Sequence, residues 1–189
     1  MKIGLYFGSF NPIHVGHLII ANHVANTKIV DRVWFVVSPQ NPHKPANSLL
    51  DEYHRLNLVH IAIEEDNRFR ACDIEFKLPK PSYTIDTLSH LGERYPQHEF
   101  SIIMGTDSLI NLHKWKNYEL LLKHYKFFVY KRLGFDITEG NMGNINYLEA
   151  PIVEISSTLI RKNIKENKSN RYLLTDTVRK EIEENNYYK

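Results

Sequence analysis

Short apolar runs and helical patterns alternate along this chain, and no other feature narrows the fold as much. Strands are predicted at Lys2–Phe7, Arg32–Val37, Phe69–Phe76, Phe100–Met104 and Lys126–Tyr130, all rich in β-branched and aromatic residues. Between them the pattern predicts helices at Val15–Asn26, Leu49–Glu64, Tyr83–Tyr95 and Tyr118–His124, with Ser48 and Ser82 as N-caps. This βαβα order implies an α/β fold, a Rossmann-like, doubly wound parallel sheet with helices on both faces. Ligands in such a sheet bind at the carboxyl ends of the strands, near a topological switch. Beyond about Pro151 the pattern turns helical, at Ser157–Lys165 and Thr175–Glu184. That stretch, about 151–189, reads as a small helical cap within one domain spanning residues 1–189. Gly134–Asn146, with Gly134, Gly140 and Gly143, reads as a loop or weak hairpin, and Tyr187–Lys189 as a frayed tail.

Composition excludes several function classes. The net charge of +2 and the spread of Lys and Arg among 22 acids give no basic run with interleaved aromatics, so a nucleic-acid partner is not expected. The single cysteine, Cys72, rules out an internal disulfide framework and a Cys-based zinc site, and it reads as a small apolar residue on a strand. No apolar stretch approaches the roughly 18 residues of a membrane span, and Lys2 leads directly into a strand rather than a signal peptide. A cytoplasmic protein with no membrane partner is the expectation.

The first predicted strand ends in the run Gly8-Ser9-Phe10-Asn11-Pro12-Ile13-His14-Val15-Gly16-His17. A glycine turn at the mouth of a helix presents backbone N–H groups and the positive end of a helix dipole, which suits a phosphate. Two adjacent histidines can neutralise charge as that phosphate reacts. The same residues also suit a tight turn with a helix-capping histidine. Further along, Ser156-Ser157-Thr158 stands where a helix begins. Its hydroxyls and N–H groups suit either an anion or a plain cap.

Taken together with Ile155-Ser-Ser-Thr-Leu-Ile-Arg161, that run resembles the two signature motifs of the HxGH nucleotidyltransferase superfamily. Asn41-Pro-His-Lys44, Pro81-Ser-Tyr-Thr-Ile-Asp-Thr-Leu88 and Met104-Gly-Thr-Asp-Ser-Leu109, followed by Trp115, resemble the bacterial nicotinate mononucleotide adenylyltransferases. The motifs run in the family's order over nearly the whole chain. One departure is visible: Phe7 stands where the family commonly has a first glycine.

The resemblance implies an enzyme of NAD biosynthesis. It would join the phosphate of nicotinate mononucleotide to the α-phosphorus of ATP, releasing pyrophosphate and giving deamido-NAD. Catalytic roles fall on His14, His17, Lys44 and Arg161, with Arg161 holding the β- and γ-phosphates. ATP binding is implied for Gly8, Ser9, Phe10, His14, His17, Gly105, Asp107, Ile155, Ser156, Ser157 and Arg161. Binding of the mononucleotide is implied for Asn11, Lys44, Tyr83, Thr84 and Trp115. Tyr83 and Thr84 would offer main-chain contacts to the nicotinate carboxylate, and Trp115 an aromatic wall for the ring, although a core-packing role also suits a tryptophan.

Phosphoryl chemistry of this kind needs cations and alignment rather than a covalent intermediate, and these residues supply both. Mg²⁺ is expected to arrive on the ATP phosphates rather than in a protein cage, with no tightly bound organic cofactor. A homo-oligomer is compatible with the sequence. The competing readings are a nicotinamide mononucleotide or phosphopantetheine adenylyltransferase and, from another class, a non-catalytic nucleotide-binding module.

Overall fold

A computed structural model describes residues 1–40, 49–135 and 143–189. Six strands lie in one sheet in the order β3-β2-β1-β4-β5-β6, every neighbouring pair parallel. They are β1 (Lys2–Gly8), β2 (Arg32–Val37), β3 (Phe69–Cys72), β4 (Glu99–Gly105), β5 (Lys126–Tyr130) and β6 (Ile145–Leu148). The helices are α1 (Val15–Asn26), α2 (Glu52–Ile63), α3 (Thr84–Arg94), α4 (Thr106–Ile110), α5 (Tyr118–His124), α6 (Ser157–Lys165) and α7 (Asp176–Glu184).

The inner strands are apolar on both faces because helices cover both. Val33, Phe35 and Val37 of β2 join a core with Ile20 and Val24 of α1, Leu58 of α2, Ile160 of α6 and Val178 of α7. Trp34 and Val36, pointing the other way, pack with Leu88 and Leu91 of α3, Leu109 of α4 and Leu121 of α5. Ile160, Val178 and Ile182 therefore share a core with Tyr6 of β1, so the C-terminal helices cover the sheet itself. β1 lies between β2 and β4, and the chain order reverses there. The crevice at this reversal opens where β1 and β4 end.

Several sequence expectations need correction. Gly134–Asn146 was expected to be a loop or hairpin, but Ile145 and Asn146 start β6, which pairs parallel to β5 and not as a hairpin. The third strand stops at Cys72, and Ile74–Lys77 forms a 3-10 turn. α2 starts at Glu52, capped by Asp51, whose side chain accepts from the Tyr53 N–H at 2.9 Å; Ser48 lies outside the described residues. Ser82 does not cap α3, because Tyr83 occupies the N-cap position and the Ser82 hydroxyl is engaged elsewhere. The C-terminal tail is docked rather than frayed. Tyr187 Oη lies 3.0 Å from His54 Nδ1, and Tyr188 packs against the first core.

Candidate active site

At the carboxyl ends of β1 and β4 the chain encloses a cavity of about 570 Å³. Its first wall is the turn leaving β1. Phe10 sits at φ +42°, a conformation costly for a side chain, while its ring is fully buried against Tyr6, Phe35 and His17. The buried ring holds the turn in that conformation. The turn's carbonyls are taken by two arginines. Arg55, fully buried on α2, donates to the carbonyls of Ser9 (2.5 Å), Ser38 (2.8 Å), Pro39 (2.9 Å) and Leu50 (2.7 Å). It thereby ties the loop after β1 to the loop after β2. Arg161 of α6 donates to the Asn11 carbonyl at 2.7 Å, and Ser157 Oγ donates to the Pro12 carbonyl at 2.8 Å. Residues nearly 150 positions apart in the chain thus meet across one turn.

His14 occupies the N-cap of α1 and is buried, with its Nδ1 lacking a hydrogen-bond partner. Desolvation first, and then the positive charge of Arg132, push its pKa down to about 4. It is therefore a neutral imidazole near pH 7. His17, one turn along, accepts the His14 backbone N–H on Nδ1 at 3.2 Å. That bond places the proton of a neutral His17 on Nε2.

Across the cavity, Gly105 ends β4 where a side chain would not fit. A Cβ there would lie 2.4 Å from Asp107 Oδ1 and 2.7 Å from Arg132 Cδ. Asp107 Oδ2 pairs with Arg132 Nη1 at 3.6 Å. Tyr83 and Thr84, at the start of α3, also line the cavity, as does Trp115. The indole is half-buried, packed on the second core and also lining the cavity. Lys116 Nζ lies 5.1 Å from the centre of the Tyr83 ring and pairs with Asp86 at 2.8 Å.

Every proposed site residue among the described ones lines this single cavity: Gly8, Ser9, Phe10, Asn11, His14, His17, Tyr83, Thr84, Gly105, Asp107, Trp115, Ile155, Ser156, Ser157 and Arg161. Lys44 lies outside the described residues. The cavity is thus lined by His14, His17, Arg161 and Arg132 and by the Trp115 indole with its neighbours Lys114 and Lys116.

Comparison with known proteins places the chain in a family. The cytidylyltransferase-like family matches residues 5–163. The chain is 54% identical to a probable nicotinate-nucleotide adenylyltransferase of Flavobacterium psychrophilum, with 100% of each chain covered. It is 52% identical to the protein of the same name from Flavobacterium johnsoniae, again over 100% of both. The chain belongs to the nicotinate-nucleotide adenylyltransferase family. Its fold is also that of the nicotinic acid mononucleotide adenylyltransferase of Plasmodium falciparum, solved in complex with NaAD. That match has a TM-score of 0.85 at 22% identity and covers 99% of this chain and 97% of the other.

Against the family's motifs, the structure adds cavity residues that the sequence reading passed over. Arg132 stands two residues past the end of β5, at the carboxyl end where ligands bind, so its position was a usable signal. Tyr6 and Tyr130 hydroxyls meet at 2.9 Å across the cavity floor, and burial pushes both phenols up. Glu75 lines the cavity from the 3-10 turn, and nothing in the local sequence marked it. Among the described residues no three His, Cys, Asp or Glu side chains converge as a metal set. Nor is any helix among them long and apolar enough to cross a membrane.

Proposed function

We propose that this chain catalyses in-line adenylyl transfer. A phosphate oxygen of nicotinate mononucleotide forms a bond to the α-phosphorus of ATP while the bond from that phosphorus to the β-bridging oxygen breaks. The products are deamido-NAD and pyrophosphate. The observation that carries this reading is the convergence of His14, His17 and Arg161 on one turn, in the same cavity that Trp115 lines.

In this reading the triphosphate lies over the Ser9–Asn11 turn and the N-terminus of α6, where Ser156 and Ser157 sit. His17 donates from Nε2 to a phosphate oxygen. The neutral His14 beside it donates without adding a buried cation. Arg161, anchored on the Asn11 carbonyl, directs its remaining N–H groups to the β- and γ-phosphates. A planar guanidinium can make both contacts at once. Lys44, outside the described residues, adds a cation to this set by the family resemblance. Such fixed donors stabilise the charge that grows on the leaving pyrophosphate, and no covalent intermediate is needed.

Asp107 is suited to the ATP ribose or to the water shell of a metal. Magnesium enters as part of the MgATP substrate, consistent with its preference for phosphate oxygens and water over a full protein cage. The nicotinate ring stacks on Trp115, with its carboxylate at the main chain of Tyr83 and Thr84. Both partners are small molecules, and the reaction belongs to NAD biosynthesis.

The test is pyrophosphate release with MgATP and three acceptors in parallel: nicotinate mononucleotide, nicotinamide mononucleotide and phosphopantetheine. Preference for the first is expected. Release with another acceptor only would keep the phosphate chemistry and overturn the Tyr83–Trp115 assignment. ATP binding with no release would favour a nucleotide-binding module.

A further inference from the structure

Glu75 has no place in the reaction as derived, yet it is a carboxylate with 2% exposure in the wall of the substrate cavity. Each of its two oxygens accepts a hydroxyl from the segment around the start of α3. Ser82 Oγ donates to Oε2 at 2.7 Å, and Thr87 Oγ1 donates to Oε1 at 2.9 Å. Ser82 and Thr87 are themselves buried. Desolvation raises the Glu75 pKa, and hydrogen bonds from Ser82, Thr87 and Ser38 oppose that rise.

The consequence lies at the N-terminus of α3. A serine just before a helix ordinarily turns its oxygen toward the first-turn N–H groups. Here Ser82 is drawn away to Glu75, and Tyr83, at the N-cap position, makes no side-chain cap. Asp86, the acid of the first turn, is held outward by Lys116 at 2.8 Å. The Tyr83 carbonyl takes the N–H groups of Asp86 and Thr87, so those of Thr84 and Ile85 are the ones the helix cannot satisfy itself.

We infer that Glu75 is a positioning residue for substrate selection: by engaging Ser82 and Thr87 it keeps the α3 N-terminus uncapped and aimed into the cavity, ready for the pyridine carboxylate. This rests on the placement of the nicotinate carboxylate proposed above. It carries a sign that simple electrostatics does not. A buried carboxylate near an anionic substrate group should by repulsion weaken binding, so its removal should help. If Glu75 instead holds the anion site open, its removal should hurt.

The experiment compares wild type with Glu75→Gln, which keeps the volume but leaves one hydroxyl facing an NH₂ group. KM and kcat are measured for the acid and the amide mononucleotides at saturating ATP, and KM for ATP separately. The expected result is a rise of about tenfold in KM for the acid, with kcat, the amide KM and the ATP KM within about twofold of wild type. An acid KM that is unchanged or lowered overturns the inference. A wild-type enzyme with no preference for acid over amide overturns the underlying placement, and the inference with it. Should Glu75→Gln not fold, Thr87→Val and Thr87→Ser replace it: only the valine variant should raise the acid KM, and equal values in the two would overturn the role of Glu75.

Discussion

The imidazoles of His14 and His17 stack with centroids 3.7 Å apart and planes inclined by 24°. Two imidazolium rings at this distance would repel strongly, so the pair can carry at most one charge with ease. Burial keeps His14 neutral, and the Nδ1 bond to the backbone orients the Nε2 of His17. The glycine at 16 belongs to the same arrangement. A Cβ there would sit 3.0 Å from His14 Nδ1 and 3.1 Å from Val153 Cγ1, crowding the ring against the segment that leads into α6.

His14 should make stability depend on acid. Its pKa of about 4 in the folded chain lies below the unfolded value near 6.5, so the unfolded chain binds the extra proton first. The contribution is fully present above about pH 6.5 and is lost as pH falls toward 4, by up to about 3 kcal/mol. Urea denaturation across this range should show the loss in wild type and a flatter profile in His14→Gln. Equal slopes would mean that His14 is not held neutral.

His17→Ala should lower turnover by roughly 10² or more, the scale seen when one preorganised donor to a reacting group is removed. The melting temperature should change little in comparison. A wild-type kcat in a folded variant would take His17 out of the mechanism.

Arg161→Lys removes the fork that holds the Asn11 carbonyl while leaving N–H groups for phosphate. ATP KM should rise and kcat fall together, because the ammonium cannot serve both partners. Unchanged values for both would count against the pyrophosphate clamp.

Arg55→Lys should act on stability before it acts on chemistry. The ammonium cannot reach four carbonyls in a fully buried site, so several buried acceptors lose partners at a cost of about 3 kcal/mol or more. The loss is measurable by urea unfolding. A change within about 0.5 kcal/mol, the range of an ordinary surface substitution, would contradict the clamp.

Gly105→Ala would press its methyl on Asp107 Oδ1 and Arg132 Cδ, and both side chains must move. ATP KM should therefore rise, and the His14 pKa, followed by the NMR titration of its ring, should rise as Arg132 retreats. An unshifted titration would show that Arg132 had not moved.

What the sequence determined by itself was local. The alternation of β-branched runs with helical stretches fixed the class of sheet. His14, His17 and Arg161 were legible because the short motifs that hold them resemble those of a known family, and the structure brings all three to one cavity. β6 was not legible: it has four residues, none of them fully buried, next to Gly143 and Asn144, and it exists only through pairing with β5. Ser82 was read as a cap because its neighbours in sequence favour one, and a buried carboxylate seven residues earlier overrode that preference.

Arg55 and Arg132 share this reason. Each acts through groups that are distant in the chain: Arg55 through carbonyls up to 46 positions away, and Arg132 through Asp107 on α4, the helix that follows the neighbouring strand. The charge of an arginine is written in the sequence, but whether it is solvated, clamps a turn or faces a substrate depends on what surrounds it once water is excluded. Tertiary packing alone decided that.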